Sequence, residues 1–164
     1  MKARIQRKKE QKMEKIKSFQ VDHDKILPGI YVSRIDGDVL TLDLRTRRPN
    51  CGDYMDNVTM HTVEHLFATY IRNSDIGERV LYFGPMGCRT GFYLLLRNCT
   101  VEEGVTYIKK VLSQIVSHTG EVFGASRREC GNYLELELGA AVKECRAYLE
   151  NLEKYKKTDG RYDD

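Results

Sequence analysis

The strongest constraint on the fold is the order in which strand-like and helix-like hydrophobic patterns follow one another along the chain. Two strand-like runs come first, at residues 30–35 and 39–44, and the Asp36-Gly37 pair between them is typical of a hairpin turn. Within the second run, leucines alternate with polar residues, which predicts one buried and one polar face. The first structural unit is therefore predicted to be an antiparallel hairpin.

Helix-like and strand-like patterns alternate again after this hairpin. Apolar residues recur at helical spacing over 57–72, and two further strand-like runs follow at 79–83 and 92–97. Thr100 and Glu103 form a capping-box pattern that predicts the start of another helix, and a last helical stripe runs from 138 to 152. Hairpin-linked strands with grouped helices predict an α+β fold, a two-layer sandwich of an antiparallel sheet with helices packed on one face.

Length and cysteine usage limit the possible domain number and cellular compartment of the protein. A chain of 164 residues suits one domain, which can bury a core without disulfides. The five cysteines are widely spaced and form no CxxC pair, which indicates a reducing compartment. No apolar run approaches the roughly 20 residues of a membrane helix, and the N-terminus lacks a signal-peptide core. We therefore expect a cytoplasmic protein with no membrane partner.

The positive charge is concentrated at the N-terminus. Residues 1–17 hold eight Lys or Arg and two Glu, which leaves 19 basic and 22 acidic residues of the 27 and 24 in the whole chain. We therefore divide the chain into a basic N-terminal extension, 1–17, and a single domain, 18–164. Such an extension could contact nucleic acid or an acidic membrane. Because no aromatic residue interleaves its charges, we favour a solvated chain end and expect no nucleic-acid partner.

The most informative stretch is HTVEH at 61–65. Its two histidines lie one helical turn apart on one face, where they could bind one metal ion or could be solvated surface residues. This face points nearly opposite the apolar stripe, so something must cover it, and a second, twofold-related subunit would do so. A stable site needs a third ligand. The candidates are Cys130, Cys88, His23 and His118.

The chemistry of these residue types narrows the kind of metal and the kind of site. Two histidines and one cysteine leave a position for water or substrate, as in a catalytic site, and sulfur with imidazole suits Zn²⁺ or Fe²⁺. Glu64 lies about 80° from the mean direction of the histidines, where it could be a general acid or base rather than a solvated carboxylate. Cys88 ends a Gly-Pro-Met-Gly loop between strands, where active-site residues often lie, although a small buried cysteine is the commoner case.

These motifs together resemble the LuxS family of S-ribosylhomocysteine lyases. They occur in family order over most of the chain from Ser18 onward, and the pairing of the 61–65 and 85–93 motifs is the most specific. The matching segments are SFQVDH at 18–23, LDLR at 42–45, HTVEHLFA at 61–68, PMGCRTGFY at 85–93 and CGN at 130–132.

The resemblance implies an enzyme that cleaves the thioether of S-ribosylhomocysteine to L-homocysteine and 4,5-dihydroxypentane-2,3-dione, the autoinducer-2 precursor. Metal-assisted carbonyl migration and β-elimination would carry the reaction. A homodimer with sites at its interface is implied, with one divalent metal per subunit, Fe²⁺ first and Zn²⁺ or Co²⁺ as alternatives. Quorum sensing and the activated methyl cycle are the implied processes.

The resemblance also assigns roles residue by residue. The implied metal ligands are His61, His65 and Cys130. Cys88 and Glu64 match the acid/base pair, and the substrate-contacting positions match Ser18, His23 and Arg45.

The chain departs from the family pattern at two places. Tyr82 stands where many members carry an acidic residue, and the basic extension is longer than usual.

Two other functions compete with the lyase. HxxEH is also the inverted zinc-peptidase motif, but a peptidase leaves Cys88 and Cys130 without roles. A non-catalytic nucleic-acid module is disfavoured by the acidic main body.

Overall fold

The structure, a computed structural model, describes residues 13–163. Most of the predicted basic extension, residues 1–12, lies outside this range. Its remaining residues lead into a short 3-10 turn, Lys17–Phe19. The boundary after residue 17 stays a prediction.

The elements follow one another in the order that the hydrophobic patterns predict. Each predicted strand or helix is present, with ends that differ by a few residues at most from the predicted ones. Within residues 13–163 the strands and α-helices are β1 (Gly29–Asp36), β2 (Val39–Arg45), α1 (Asn57–Arg72), β3 (Val80–Pro85), β4 (Gly91–Arg97), α2 (Val101–Val116) and α3 (Leu138–Tyr155).

The four strands form one antiparallel sheet in the order β1-β2-β4-β3. The predicted β1–β2 hairpin turns at Gly37, which adopts a left-handed conformation with φ of 61°. β3 and β4 form the second hairpin, and α1 connects the two. Because β2 pairs with β4, the ends of both hairpins that carry the family-like motifs 42–45 and 85–93 lie side by side.

All three helices pack on the same face of this sheet. The leucines of β2 point into that face, where they meet Leu66 of α1, Ile108 of α2 and Cys145 of α3 in one hydrophobic core. Burying each large aliphatic side chain contributes roughly 1.5–3 kcal/mol, so this core is the main source of stability. The predicted α+β two-layer architecture is confirmed. No helix among residues 13–163 has the length and apolar character that crossing a membrane requires.

Local capping sets where the helices begin. Thr100 and Glu103 form the predicted capping box at the start of α2, with each side chain bonded to the other residue's backbone. α1 starts after Asp56, whose carboxylate accepts a hydrogen bond from the Thr59 N–H at 2.7 Å. That hydrogen bond lowers the pKa of Asp56. This polar contact stabilises the start of α1.

The opposite face of the sheet carries polar groups, as the alternation predicts, but part of it is not exposed to solvent. The side chains of Asp43 and Arg45 project from β2 on this face, and the two residues are only 1% and 2% exposed. They are covered partly by the residues after α3, which we call the C-terminal segment (156–163). The N–H groups of Ile30 and Val32 on β1 donate to carbonyls of this segment. The segment therefore lies along the outer edge of the sheet.

Candidate active site

His61, His65 and Cys130 form the one group among residues 13–163 that could hold a metal ion. Their ligand atoms all lie within 4.8 Å of one another. The Cys130 sulfur is 3.3 Å from His61 Nε2. With metal–ligand bonds of about 2.0–2.3 Å, a tetrahedral ion separates its ligand atoms by roughly 3–4 Å. The group therefore needs only small side-chain adjustments to bind one.

Backbone carbonyls orient both histidines for such a role. His61 Nδ1 lies 3.0 Å from the Glu135 carbonyl, and His65 Nδ1 lies 2.7 Å from the Phe123 carbonyl. A carbonyl can only accept a hydrogen bond, so Nδ1 carries the proton and donates in both rings. The lone pair of Nε2 is therefore available to a metal. The three donors, two imidazoles and a sulfur, fit Zn²⁺ or Fe²⁺. Three protein ligands are the number found at catalytic zinc sites.

The loop between α2 and α3 (residues 117–137) supplies Cys130 and covers the histidine face of α1. Both carbonyls that fix the histidine rings belong to this loop. The Asn132 N–H also donates to the Cys130 sulfur at 3.4 Å. The sequence pattern requires that face to be covered, and the chain's own loop supplies at least part of the cover.

The other three candidates for the third ligand lie elsewhere. His118 contacts the Tyr70 hydroxyl through Nδ1 and the Glu121 carbonyl through Nε2, at 2.7 and 3.0 Å, so both of its nitrogens are engaged. His23 contacts the Val21 carbonyl, and Cys88 lies near Arg45. Neither belongs to the group that could hold a metal. His118 instead holds the loop whose Phe123 carbonyl orients His65.

Cys88 is presented by a tight turn between β3 and β4. The Arg89 N–H donates to the Met86 carbonyl at 2.9 Å, and Arg89 itself adopts a left-handed conformation with φ of 61°. The exposed Cys88 sulfur lies 3.1 Å from Thr90 Oγ1 and 3.7 Å from Arg45 Nη1. A thiol held beside a fixed guanidinium and a hydroxyl can exchange protons with a bound molecule.

Arg45 is the centre of this second group. Its Nη1 donates to Thr90 Oγ1 at 2.7 Å, and its Nη2 donates to Asp43 Oδ2 at 2.5 Å. Burial alone would lower the pKa of Arg45, but the Asp43 carboxylate outweighs this effect. The pKa of Arg45 is therefore raised above its usual value, and the guanidinium stays charged. The close approach of β4 requires Gly91, since a Cβ there would lie 2.4 Å from the Leu44 carbonyl oxygen.

The three predicted substrate-contacting residues lie around one narrow cavity. Ser18, His23 and Arg45 all line it, together with Tyr93 and Tyr162. Glu64 is not part of this group, because it lies on α1. Its half-buried carboxylate makes no hydrogen bond or ion pair with any residue in the described range. It is therefore available to a bound molecule.

The predicted site residues thus form two groups on opposite sides of the sheet. Leu44 faces the helices, so Arg45, the next residue on β2, faces away from them. Cys88, Ser18 and His23 lie on the Arg45 side. The metal-binding group and Glu64 belong to the helical layer. The sheet therefore lies between the two groups.

Three residues of the second group were not predicted from sequence. Thr90 and Asp43 each lie two residues from a predicted site residue. Asp43 and Arg45 share β2, where this spacing puts both side chains on one face and is a usable signal. Tyr162 donates to Asp43 Oδ2 at 2.8 Å and is 119 residues away along the chain, so no local pattern points to it.

A cavity of about 610 Å³ lies away from both groups, between α3 and residues 46–56. Arg47 crosses it with ion pairs to Glu144 and Asp53 at 2.6 and 2.7 Å. None of the predicted site residues lines this cavity. We therefore place the active site at the two groups described above.

Cys130→Ala should abolish tight metal binding. Two histidine ligands remain, which is too few for a stable site. We expect at least a tenfold lower metal content after anaerobic loading and desalting, measured by plasma mass spectrometry. Cys51→Ala is the matched control, because Cys51 is exposed and outside the group. A Cys130→Ala chain that keeps one metal ion per subunit would show that Cys130 is not a ligand.

Comparison with known proteins identifies the family. A family model described as S-Ribosylhomocysteinase (LuxS) matches residues 16–159. A curated S-ribosylhomocysteine lyase of Borreliella afzelii is 43% identical over 156 residues, which span 92% of this chain and 99% of that protein. The curated S-ribosylhomocysteine lyase of Clostridium acetobutylicum is 46% identical over 149 residues, 85% of this chain and 94% of its own. The chain therefore belongs to the S-ribosylhomocysteinase (LuxS) family.

Proposed function

We propose that this chain is a carbon–sulfur lyase that cleaves S-ribosylhomocysteine to L-homocysteine and 4,5-dihydroxypentane-2,3-dione at a site completed by a second copy of the chain. The family membership supports the reaction. The separation of the two residue groups by the sheet supports the shared site. Each site would combine the metal-binding group and Glu64 of one copy with Cys88 and Arg45 of the other.

The residue types suit a reaction made of successive proton transfers. A divalent ion held by His61, His65 and Cys130 would supply Lewis-acid polarisation of a sugar carbonyl. Cys88 would take the proton from the carbon beside that carbonyl and return it one position along, which moves the carbonyl toward the sulfur-bearing end. Glu64 would take the last proton as the C–S bond breaks and homocysteine leaves as a thiolate.

The substrate-binding residues would hold the hydroxyl groups during these steps. Arg45 is charged and presents its guanidinium beside Cys88, so it can bind an oxygen on which negative charge develops. Ser18 and His23 line the same cavity and offer further hydrogen-bonding groups to a sugar. The cavity is narrow, so we expect it to hold only part of the substrate within one copy.

The sheet face that bears Cys88 and Arg45 also has the character of a homodimer interface. The three α-helices α1, α2 and α3 all pack on the other face. A groove on this open face is lined by aromatic and aliphatic groups that include Ile16, Tyr82, Tyr93 and Leu95. Ile16 and Tyr82 are exposed, at 58% and 49%. Apolar side chains on an uncovered sheet face favour association with a second, twofold-related copy.

The metal, the compartment and the process belong to the same proposal. The Cys and His ligands suit both Fe²⁺ and Zn²⁺. From the resemblance to the family we propose Fe²⁺ as the resident ion, with Zn²⁺ or Co²⁺ as substitutes. The five unpaired cysteines suit the reducing cytoplasm. The dione product would serve as the autoinducer-2 precursor in quorum sensing, and homocysteine would return to the activated methyl cycle. The competing peptidase function predicts a carboxylate as the third ligand, whereas the group contains Cys130.

Release of free thiol from S-ribosylhomocysteine tests the proposed function. The anaerobically purified, metal-loaded chain should release one thiol per substrate consumed, measured with a thiol-specific chromogenic reagent. Glu64→Gln should retain its metal but lose turnover by roughly 10²–10⁴-fold, the usual size of a general acid–base contribution. The control is Glu150→Gln, an exposed glutamate on α3. No thiol release from intact, metal-loaded protein would remove the lyase assignment.

A further inference from the structure

Asp43 is a buried carboxylate that links the C-terminal segment to Arg45. Its Oδ2 atom accepts from Arg45 Nη2 on one side and from the Tyr162 hydroxyl on the other. Its Oδ1 atom, and Nε of Arg45, have no hydrogen-bond partner among the described residues. The position of the guanidinium therefore depends on the few contacts that these side chains do make.

Tyr162 is held in place by backbone and ring contacts. Gly160 forms a parallel bridge with Tyr31, and its carbonyl accepts from the Val32 N–H at 2.8 Å. The Tyr162 ring then stacks on the Tyr31 ring, with centroids 4.6 Å apart and planes 6° from parallel. These contacts aim the Tyr162 hydroxyl at Asp43. The end of the chain thus contributes a fixed hydrogen-bond donor beneath the Cys88 site.

We propose that Tyr162 is a positioning residue for the lyase reaction, which acts on Cys88 through Asp43 and Arg45. Its hydroxyl would restrain the Asp43 carboxylate, which in turn holds the Arg45 guanidinium against Thr90 and Cys88. This inference rests on the proposed role of Cys88.

Tyr162 is suited to remain a neutral donor. Burial, the charge of Asp43 and the hydrogen bond to it all raise the pKa of Tyr162. The phenol therefore keeps its proton at neutral pH. A phenylalanine at this position would keep the stacked ring and the cover over Asp43, and it would remove only the donated hydrogen bond.

The test is Tyr162→Phe, read by the reactivity of Cys88 and by turnover. Trypsin releases Cys88 in the peptide 80–89, which contains no other cysteine, so mass spectrometry can follow its alkylation by iodoacetamide separately from the other four cysteines. At a fixed neutral pH we expect roughly three- to tenfold slower alkylation, the size expected for the loss of one typical hydrogen bond. The kcat for thiol release should fall by a similar factor with little change in KM, and the metal content should not change.

Tyr107→Phe is the matched control, because the Tyr107 hydroxyl also donates to a carboxylate, Asp75, at 3.2 Å, but in an exposed position away from the site. It should leave Cys88 alkylation and kcat unchanged. Tyr162→Leu, which also loses the ring, should slow alkylation at least as much as Tyr162→Phe. Alkylation of Cys88 in folded Tyr162→Phe at the same rate as in Tyr107→Phe would overturn the inference. Failure of the proposed function would instead appear as no thiol release from the wild-type chain.

Discussion

A heterodimer of one Cys88→Ala chain and one His65→Ala chain is expected to be active, although each variant alone is inactive. In each homodimer both sites lack an essential group. In the heterodimer, the intact Cys88 of one chain faces the intact metal group of the other, so one of the two sites is complete. We expect roughly half of the wild-type turnover per dimer.

Two affinity tags make the measurement direct. The two variants are co-expressed with different tags, and sequential purification isolates the heterodimer before thiol release is measured. Neither variant removes a core residue, since Cys88 is exposed and His65 is half-buried. The recovered activity should therefore reflect the completeness of the sites and not the yield of folded protein.

The matched control pairs two defects from the same group. A heterodimer of Cys130→Ala and His65→Ala has a damaged metal group in both chains, so it should remain as inactive as either homodimer. If all catalytic groups instead belonged to one copy of the chain, neither heterodimer would recover activity. That result, or the failure of differently tagged chains to copurify, would contradict the shared site.

Local signals were sufficient to predict the elements and two of the three residues of the metal-binding group. The Asp36-Gly37 turn and the Thr100–Glu103 capping box each act within four residues, and both are present. The His61–His65 spacing on a helix likewise fixes two ligands. Cys130 is 69 residues from His61, and only its residue type and the family resemblance pointed to it. Contacts at such separations depend on how loops cross, which no short pattern encodes.

The burial of Asp43 and Arg45 could not be predicted for the same reason. Their alternation with leucines correctly placed them on the face away from the core. Whether that face is exposed to solvent depends on the C-terminal segment. This segment contacts β1 although it lies more than a hundred residues after it in the sequence, and it places Tyr162 over Asp43. The sequence pattern predicted a polar face, and the structure adds that its central ion pair is covered.

Asp43→Ala is expected to lower the free energy of unfolding by about 3–5 kcal/mol. The variant leaves the Arg45 guanidinium buried without its counter-charge, and it removes the acceptor of the Tyr162 hydroxyl. With an m-value of about 1–3 kcal/mol/M, the urea midpoint should fall by at least 1 M. The measurement is urea unfolding followed by circular dichroism, on metal-free samples so that metal binding does not contribute.

An exposed ion pair of the same type provides the control. Asp38 pairs with Arg97 at 3.1 Å, and both side chains are about half exposed. Asp38→Ala should cost no more than about 1 kcal/mol, because solvent already screens this pair. Equal costs for Asp38→Ala and Asp43→Ala would contradict the claim that burial makes the Asp43–Arg45 pair different.

Replacing both partners separates the cost of an unpaired charge from the value of the pair. The double variant Asp43→Leu with Arg45→Met puts apolar groups of similar size where the buried charges were, and such replacements are often neutral or stabilising. We expect it to recover most of the stability that Asp43→Ala loses. It should nevertheless release no thiol, because the guanidinium beside Cys88 is gone. A stable but inactive double variant would mean that this pair is retained for the active site, where Arg45 lies beside Cys88 and is proposed to bind substrate, and not for holding the fold together. A double variant as unstable as Asp43→Ala would instead assign the pair a structural role.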